Sequence, residues 1–311
     1  MESKNNWKAW LYLAPVLILM AVFTFFPLIN TFVVSFLKDY NSATGASSGF
    51  TFSNYGVVLG LTPRNPETGV LDKTFFSWNS PSALTNTLVI TFVTVPISVI
   101  LALIIAIALN HIKVLQKFLE TVFFMPYVTN VIAVGMVFSV MFSSGGVINS
   151  IFGSSIDWIG VSGSSWGSAM FVLCLYIIWN ALPYKILIFL SGLQGIDKQY
   201  YEAAKIDSTP KLKTEWKITV PLLSPQILYI TVTSFIGAFK EYSAVVGLFN
   251  RNYTTDGNVP DLYTVVYYIY DKLGSGNTQV QYASAAAVVL FVIIMIFTFI
   301  QMQVSKKRVH Y

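Results

Sequence analysis

Two histidines (His111 and His310), one cysteine (Cys174) and 14 acidic residues are all the imidazole, thiol and carboxylate side chains in this chain of 311 residues. Both histidines stand near the edges of apolar runs, and Cys174 lies inside one. No Cys/His spacing suits a metal, and one thiol allows no disulfide framework. No glycine-rich stretch ends in Gly-Lys-Ser/Thr to cradle nucleotide phosphates, and a nucleophile with an organised histidine base is not expected. The sequence therefore predicts no catalytic residue, no metal site and no ATP hydrolysis by this chain alone.

Charge is scarce, at 11% of residues, so the places where it gathers carry information. Residues 199–225 read QYYEAAKIDSTPKLKTEWKITVPLLSP. Glu202 and Lys205 are spaced to interact along one face of a helix, and Ala203 and Ala204 have the best helix propensity. Their small side chains leave a shallow face on which another protein's groove could close. Thr209 is predicted as an N-cap and Pro210 as the first residue of a second short helix through KLKTEWK. A solvated amphipathic loop resting at lipid headgroups fits the composition equally well.

A second group of polar residues intrudes into apolar runs. Lys185 lies roughly ten residues, about 15 Å of helix, from the end of its run, too deep for easy snorkelling. It is expected to face a partner or a wet cavity, because an unpaired lysine at that depth is costly. Lys240, Glu241 and Tyr242 fall together in GAFKEYSAVVGLF. With Trp179, Asn180 and Tyr184 they bring aromatic faces and a few polar groups into the apolar runs. The alternative is packing between helices, with Lys240 as an interfacial anchor.

The elements that must position these residues follow from composition. Hydrophobic residues reach 55% and mean hydropathy +0.64, whereas a soluble domain carries about 25% charged residues. Six runs approach or exceed the roughly 20 residues that cross a bilayer: 10–37, 84–110, 119–142, 168–193, 218–249 and 282–304. The expectation is one all-α transmembrane domain over 1–311 with six spans. The first run is too long for a signal-peptide core and is read as a retained signal-anchor helix. Pro27, Pro96, Pro126, Pro183, Pro221 and Pro225 interrupt the runs, which is tolerated where neighbouring helices or water satisfy the freed backbone groups.

Orientation follows from the basic residues, which concentrate in cytoplasmic loops. Lys4 and Lys8, Lys113 and Lys117, then Lys198, Lys205, Lys211, Lys213 and Lys217, and finally Lys306, Lys307 and Arg308 all fall on one side of the six-span map. The other side holds Lys38, Arg64, Lys73, Arg251 and Lys272, spread over longer loops. Both termini and the 194–217 loop are thus predicted cytoplasmic, with 38–83, 143–167 and 250–281 outside. The net charge of +5 needs no nucleic acid to explain it. Residues 143–167, with Ile, Phe and Trp among Gly and Ser, are read as a connector or as a short helix at the outer interface.

Transport without its own ATPase leaves two energy sources. A gradient-driven carrier usually has several intramembrane carboxylates and repeated halves; here Glu241 alone lies well inside a run, and no repeat is visible. A permease driven by a separate ATPase needs a rigid cytoplasmic handle, which 199–225 could supply.

The spacing Glu202-Ala-Ala, three residues, Ser208, nine residues, Ile218-Thr-Val-Pro221 resembles the EAA loop of binding-protein-dependent ABC importer permeases. LSGLQGIDKQYYEAA, WLYLAPVLILMAVFTFFPLINTFVVSF, FFMPYVTNVIAVGMVF and GGVINSIFG are similar to that family as well, so the likeness runs along almost the whole chain. Within the family it is to carbohydrate-uptake permeases of the maltose and glycerol-phosphate type.

The resemblance implies a type I importer permease fold in the cell membrane, with a coupling helix between spans four and five seated in a cytoplasmic ATPase. It implies that Glu202 pairs with a basic residue of the ATPase, that Ala203 and Ala204 permit close approach, and that Asp207 and Ser208 form the bend. Glycine is usual where Ser208 stands, and a left-handed turn costs serine more; the bend is therefore expected to rest on the Ser-Thr-Pro sequence. The implied partners are a second permease of different sequence, two ATPase subunits that bind ATP and Mg, an extracytoplasmic solute-binding protein and membrane lipid. The implied solute is a sugar or oligosaccharide. A phosphate ester is the alternative, and a gradient-driven carrier the reading from another class.

Overall fold

The computed structural model describes residues 6–64, 69–77, 81–112, 116–159, 164–249 and 262–305. Lys4, Lys113, Arg251, Lys306, Lys307, Arg308 and His310 lie outside them, as do residues 250–261 of the predicted outer loop 250–281. The regular structure of the described residues is helical apart from one hairpin of two two-residue strands.

Among the described residues, four helical stretches are long and apolar enough to cross a membrane: Trp10–Ser35, Ala83–His111, Trp166–Gln194 and Val280–Ser305. Two bent pairs bring the number to six if each counts as one span. The chain divides into two compact units, residues 1–76 with 267–291, and residues 77–266 with 292–311.

In the first unit, α1 (Asn6–Met20), a π-helical turn (Ala21–Phe25) and α2 (Phe26–Ser35) follow one another as a single long stretch. Pro27 sits in the first turn of α2, where its missing N–H costs nothing. Beyond Ser35, β1 (Leu37–Lys38) pairs antiparallel with β2 (Gly49–Phe50), and α3 (Ser53–Val58) follows. Buried Asn54 on α3 donates to the carbonyls of Ser35 and Leu37, both at 2.9 Å, and so seals the open end of α2.

The core of the second unit is α4 (Ala83–His111) against α8 (Trp166–Gln194), with α12 (Ser224–Phe239) laid over both. Ala102 and Ala106 on α4 let Ile186, Phe189 and Leu190 of α8 approach closely, the small-residue packing that suits helices in lipid. α4 is capped by Ser82, and α8 by a reciprocal box between Ser165 and Ser168. At their N-terminal ends, Asn86 joins them by donating to the Tyr263 carbonyl at 2.9 Å and accepting the Trp166 indole N–H at 2.9 Å.

Two predicted spans are broken. Run 119–142 is α5 (Gln116–Val128) and α6 (Val131–Met141), bent by 103°. Pro126 is not the break; the Asn130 side chain accepts from the Ile132 and Ala133 amides and starts a new helix. Run 218–249 comprises the end of a π-helical turn (Glu215–Thr219), then α11 (Val220–Leu222), α12 and α13 (Ser243–Phe249), with a 66° bend at Leu223 and a break at 240–242. Hydropathy registers that both runs are apolar and carries nothing about their direction.

The two displaced segments, α6 and α13, pack on each other at glycine. A Cβ on Gly135 would lie 2.7 Å from the Gly247 carbonyl carbon, and one on Gly247 2.9 Å from the Ile132 Cα. Between α6 and α8, α7 (Val147–Phe152) lies in a loop organised by buried Asn149. Its amide donates to the Ser143, Ser144 and Ile156 carbonyls, while its side-chain oxygen accepts from Ser154 and the Trp158 indole.

Candidate functional site

The charge-rich loop folds as α9 (Lys198–Ile206) and α10 (Lys211–Thr214). Asp197 starts α9 by accepting the Gln199 amide at 3.0 Å. Tyr201 and Ala204, at i and i+3, form its inner face, with exposed Lys205 at the edge: Ala204 is 6% exposed, and the Tyr201 hydroxyl bonds the Thr219 hydroxyl at 3.1 Å. Glu202 and Ala203 point outward. The alanine pair is thus divided, one methyl packed against the protein and one presented to a partner.

Glu202 and Lys205 do not form the ion pair their spacing suggested; among the described residues the salt bridges are His111–Glu215 and Lys272–Asp72. Exposed Tyr200, Ile206, Leu212 and Trp216 surround the helix. Sequence reasoning passed over these four, whose signal was four large apolar residues set in an otherwise charged loop.

The bend differs from expectation. Ser208 has φ 51 and occupies the left-handed conformation that glycine takes readily. Its N–H reaches the Lys205 carbonyl at 3.0 Å, and the Thr209 N–H reaches the Ala204 carbonyl at 2.9 Å. Those two bonds, with Asp207 at the C-cap, are a Schellman motif closing α9. The bend therefore does not rest on the Ser-Thr-Pro sequence. Pro210 rather than Thr209 takes the N-cap position of α10 with no side-chain cap, and the Thr214 N–H donates to the Pro210 carbonyl at 3.0 Å.

The residues predicted along the solute path fall in separate places. Asn180 and Tyr184 stand one turn apart on α8, both partly buried. The Tyr184 ring stacks on Tyr127 at 5.9 Å and 19°, and its hydroxyl meets that of Tyr229 at 3.1 Å. Three helices, α5, α8 and α12, thus contribute to one tyrosine cluster, in which Tyr127 is 57% and Tyr229 50% exposed. Tyr127 and Tyr229 were missed, because each lies in its own apolar run and only the fold brings them to Tyr184. Trp179 packs instead on Phe138, with ring centroids 5.3 Å apart.

Lys185, 5% exposed, donates to the Ser98 hydroxyl on α4; its partner lies inside the α4–α8 interface. Lys240 is exposed at the C-cap of α12. One oxygen of Glu241 accepts the Tyr242 and Ala244 amides at 3.1 and 2.8 Å, fastening the carboxylate to the first turn of α13. The Thr264 hydroxyl donates to the Glu241 carbonyl at 2.8 Å. Among the described residues no group of three or more His, Cys, Asp or Glu is placed to hold a metal.

Residues 95–311 match the family described as binding-protein-dependent transport system inner membrane component. The chain belongs to this family. The permease is 30% identical to the lactose transport system permease protein LacF of Rhizobium radiobacter, over 97% of this chain and 95% of that protein. It is 30% identical to the arabinooligosaccharides transport system permease protein AraP of Bacillus subtilis, covering 95% and 88%, and 28% identical to the sn-glycerol-3-phosphate transport system permease protein UgpA of Agrobacterium fabrum, covering 99% and 97%.

The permease also superposes on a chain from the crystal structure of a bacterial ABC transporter involved in import of the acidic polysaccharide alginate. The TM-score is 0.76 at 17% identity, covering 98% of this chain and 96% of that one. It therefore has the type I importer permease fold, all-α and multi-pass, and is a transport subunit rather than an enzyme.

Proposed function

We propose that this permease lines the path of a sugar or oligosaccharide, delivered by an extracytoplasmic binding protein and moved at the expense of ATP held with Mg in two separate ATPase subunits. A second permease of different sequence completes the pathway, and both termini lie in the cytoplasm. The observation that carries the solute class is the tyrosine cluster: stacked rings beside linked hydroxyls offer an apolar face and hydrogen bonds together, and Asn180 lies one turn away. Relatives named for lactose and arabinooligosaccharides support the same class. Lys240, Glu241 and Tyr242 flank the break between α12 and α13 and border the path, while Trp179 and Lys185 hold its walls together.

The likeness to UgpA favours a phosphate ester as second reading. Against it, the lysine nearest in sequence to the cluster, Lys185, is buried on Ser98.

α9 serves as the handle. Glu202 engages a basic residue of the ATPase, exposed Ala203 permits close approach, and Ala204 seats the helix on its own protein. Asp207 and Ser208 close the turn, and Ile206, Leu212 and Trp216 supply apolar contact. Reconstituting the complete transporter with its binding protein and a panel of sugars tests both halves. Glu202→Lys should abolish sugar-stimulated ATP hydrolysis with assembly intact, and Tyr184→Ala should weaken sugar transport while leaving basal hydrolysis unchanged. Uptake driven by an ion gradient without ATP would sink the proposal.

A further inference from the structure

Behind the α9 face formed by Tyr201 and Ala204, with Lys205 at its edge, lies a cavity of about 420 Å³, set among the ends of α4 and α8 and the segment from Thr209 to Glu215. Its aliphatic lining comes from Ile107 and Leu193, each within the last turn or two of a membrane-length helix. Its polar lining includes Lys205, Lys211, Asn110 and Thr209. The carboxylate on the lining, Glu215, is already engaged, with Oε1 3.4 Å from His111 Nε2. Lys205 and Lys211 have no carboxylate partner among the described residues. Two ammonium groups against one carboxylate therefore border a pocket whose aliphatic wall continues from the ends of two membrane-length helices.

Cationic pockets between helices at a membrane surface select anionic headgroups, and lysine stems can lie along acyl chains while their ammonium groups meet phosphate. We propose that this cavity holds the headgroup of an anionic phospholipid, with its phosphate between Lys205 and Lys211 and the start of its acyl chains against Ile107 and Leu193. A soluble phosphate would use the lysines but gain nothing from the aliphatic wall. The proposal concerns binding and stands whether or not α9 seats in an ATPase.

The complete transporter in nanodiscs of phosphatidylcholine, with or without phosphatidylglycerol, provides the test. Amine labelling followed by mass spectrometry reads lysine accessibility, and native mass spectrometry reads retained lipid. All three lysines are exposed; phosphatidylglycerol should protect Lys205 and Lys211, which line the cavity, but not Lys198 at the start of α9, which does not. Free glycerol phosphate added to phosphatidylcholine discs should protect none of them. Lys205→Gln and Lys211→Gln should each weaken phosphatidylglycerol retention about fivefold. Ile107→Trp, which fills the aliphatic wall and leaves every charge in place, should weaken it as well. Equal labelling in the two lipid mixtures overturns the site, and protection by glycerol phosphate alone overturns the lipid as its occupant.

Discussion

At the scale of single residues, Ser208 holds a left-handed conformation that glycine adopts at lower cost. Its φ of 51 carries a Cβ–carbonyl crowding penalty of about 1 kcal/mol, which is tolerated because two backbone hydrogen bonds satisfy the last carbonyls of α9. Ser208→Gly should therefore stabilise the end of α9 by up to about 1 kcal/mol, seen as slower hydrogen exchange at the amides of residues 208 and 209. Ser208→Val should speed that exchange. Faster exchange in the glycine variant would show that the serine conformation is unstrained. The need for a turn here was legible in the spacing of Glu202, Ser208 and Pro221. Its geometry was not, because serine alone does not announce a left-handed backbone.

At the scale of elements, the contact of α6 with α13 depends on two glycines whose added side chains would strike backbone rather than movable side chain. Gly247→Val should cost about 1–3 kcal/mol through overpacking and lower transport with it. Gly237→Ala, on α12 with nothing within 4 Å of the new methyl, should raise thermal stability by up to about 1 kcal/mol through helix propensity. Thermal unfolding of the two variants separates the roles; equal effects would refute the close-approach argument.

The first unit offers a different handle. Burial pushes the Asp72 carboxyl up, but the Thr74 hydroxyl and amide and the Lys272 ammonium outweigh it and hold the group below its usual value. Lys272 Nζ lies 3.3 Å from Asp72 Oδ2. A lowered carboxyl contributes stability above its unfolded pKa of about 3.9 and loses it as pH falls through the folded value. Asp72→Asn should thus cost about 1 kcal/mol or less at neutral pH, and the difference from the parent should close in acid, measured by thermal unfolding across pH. A gap that persists in acid would assign the cost to packing.

At the scale of the whole molecule, the side on which α9 lies decides whether an ATPase can reach it. Cys174, 6% exposed, is the chain's one thiol, so a Cys174→Ala background is free of competing label sites. In it, Lys213→Cys should react with an impermeant thiol reagent only from the cytoplasmic side, and Ala43→Cys only from the opposite side. The reverse pattern would overturn the orientation read from the basic residues.

By itself the sequence determined that this is a multi-pass helical membrane protein, because composition sets the solvent in which the chain folds. It also determined the family, since the spacing from Glu202 to Pro221 is a local property of the chain. Only the tertiary structure decided that two apolar runs break near Asn130, Leu223 and Lys240, that Ala204 faces inward while Ala203 does not, and that Tyr127 and Tyr229 converge on Tyr184. Those outcomes depend on where helices point and which faces meet. Direction and contact are set by packing between residues distant in sequence, which hydropathy and local spacing do not encode.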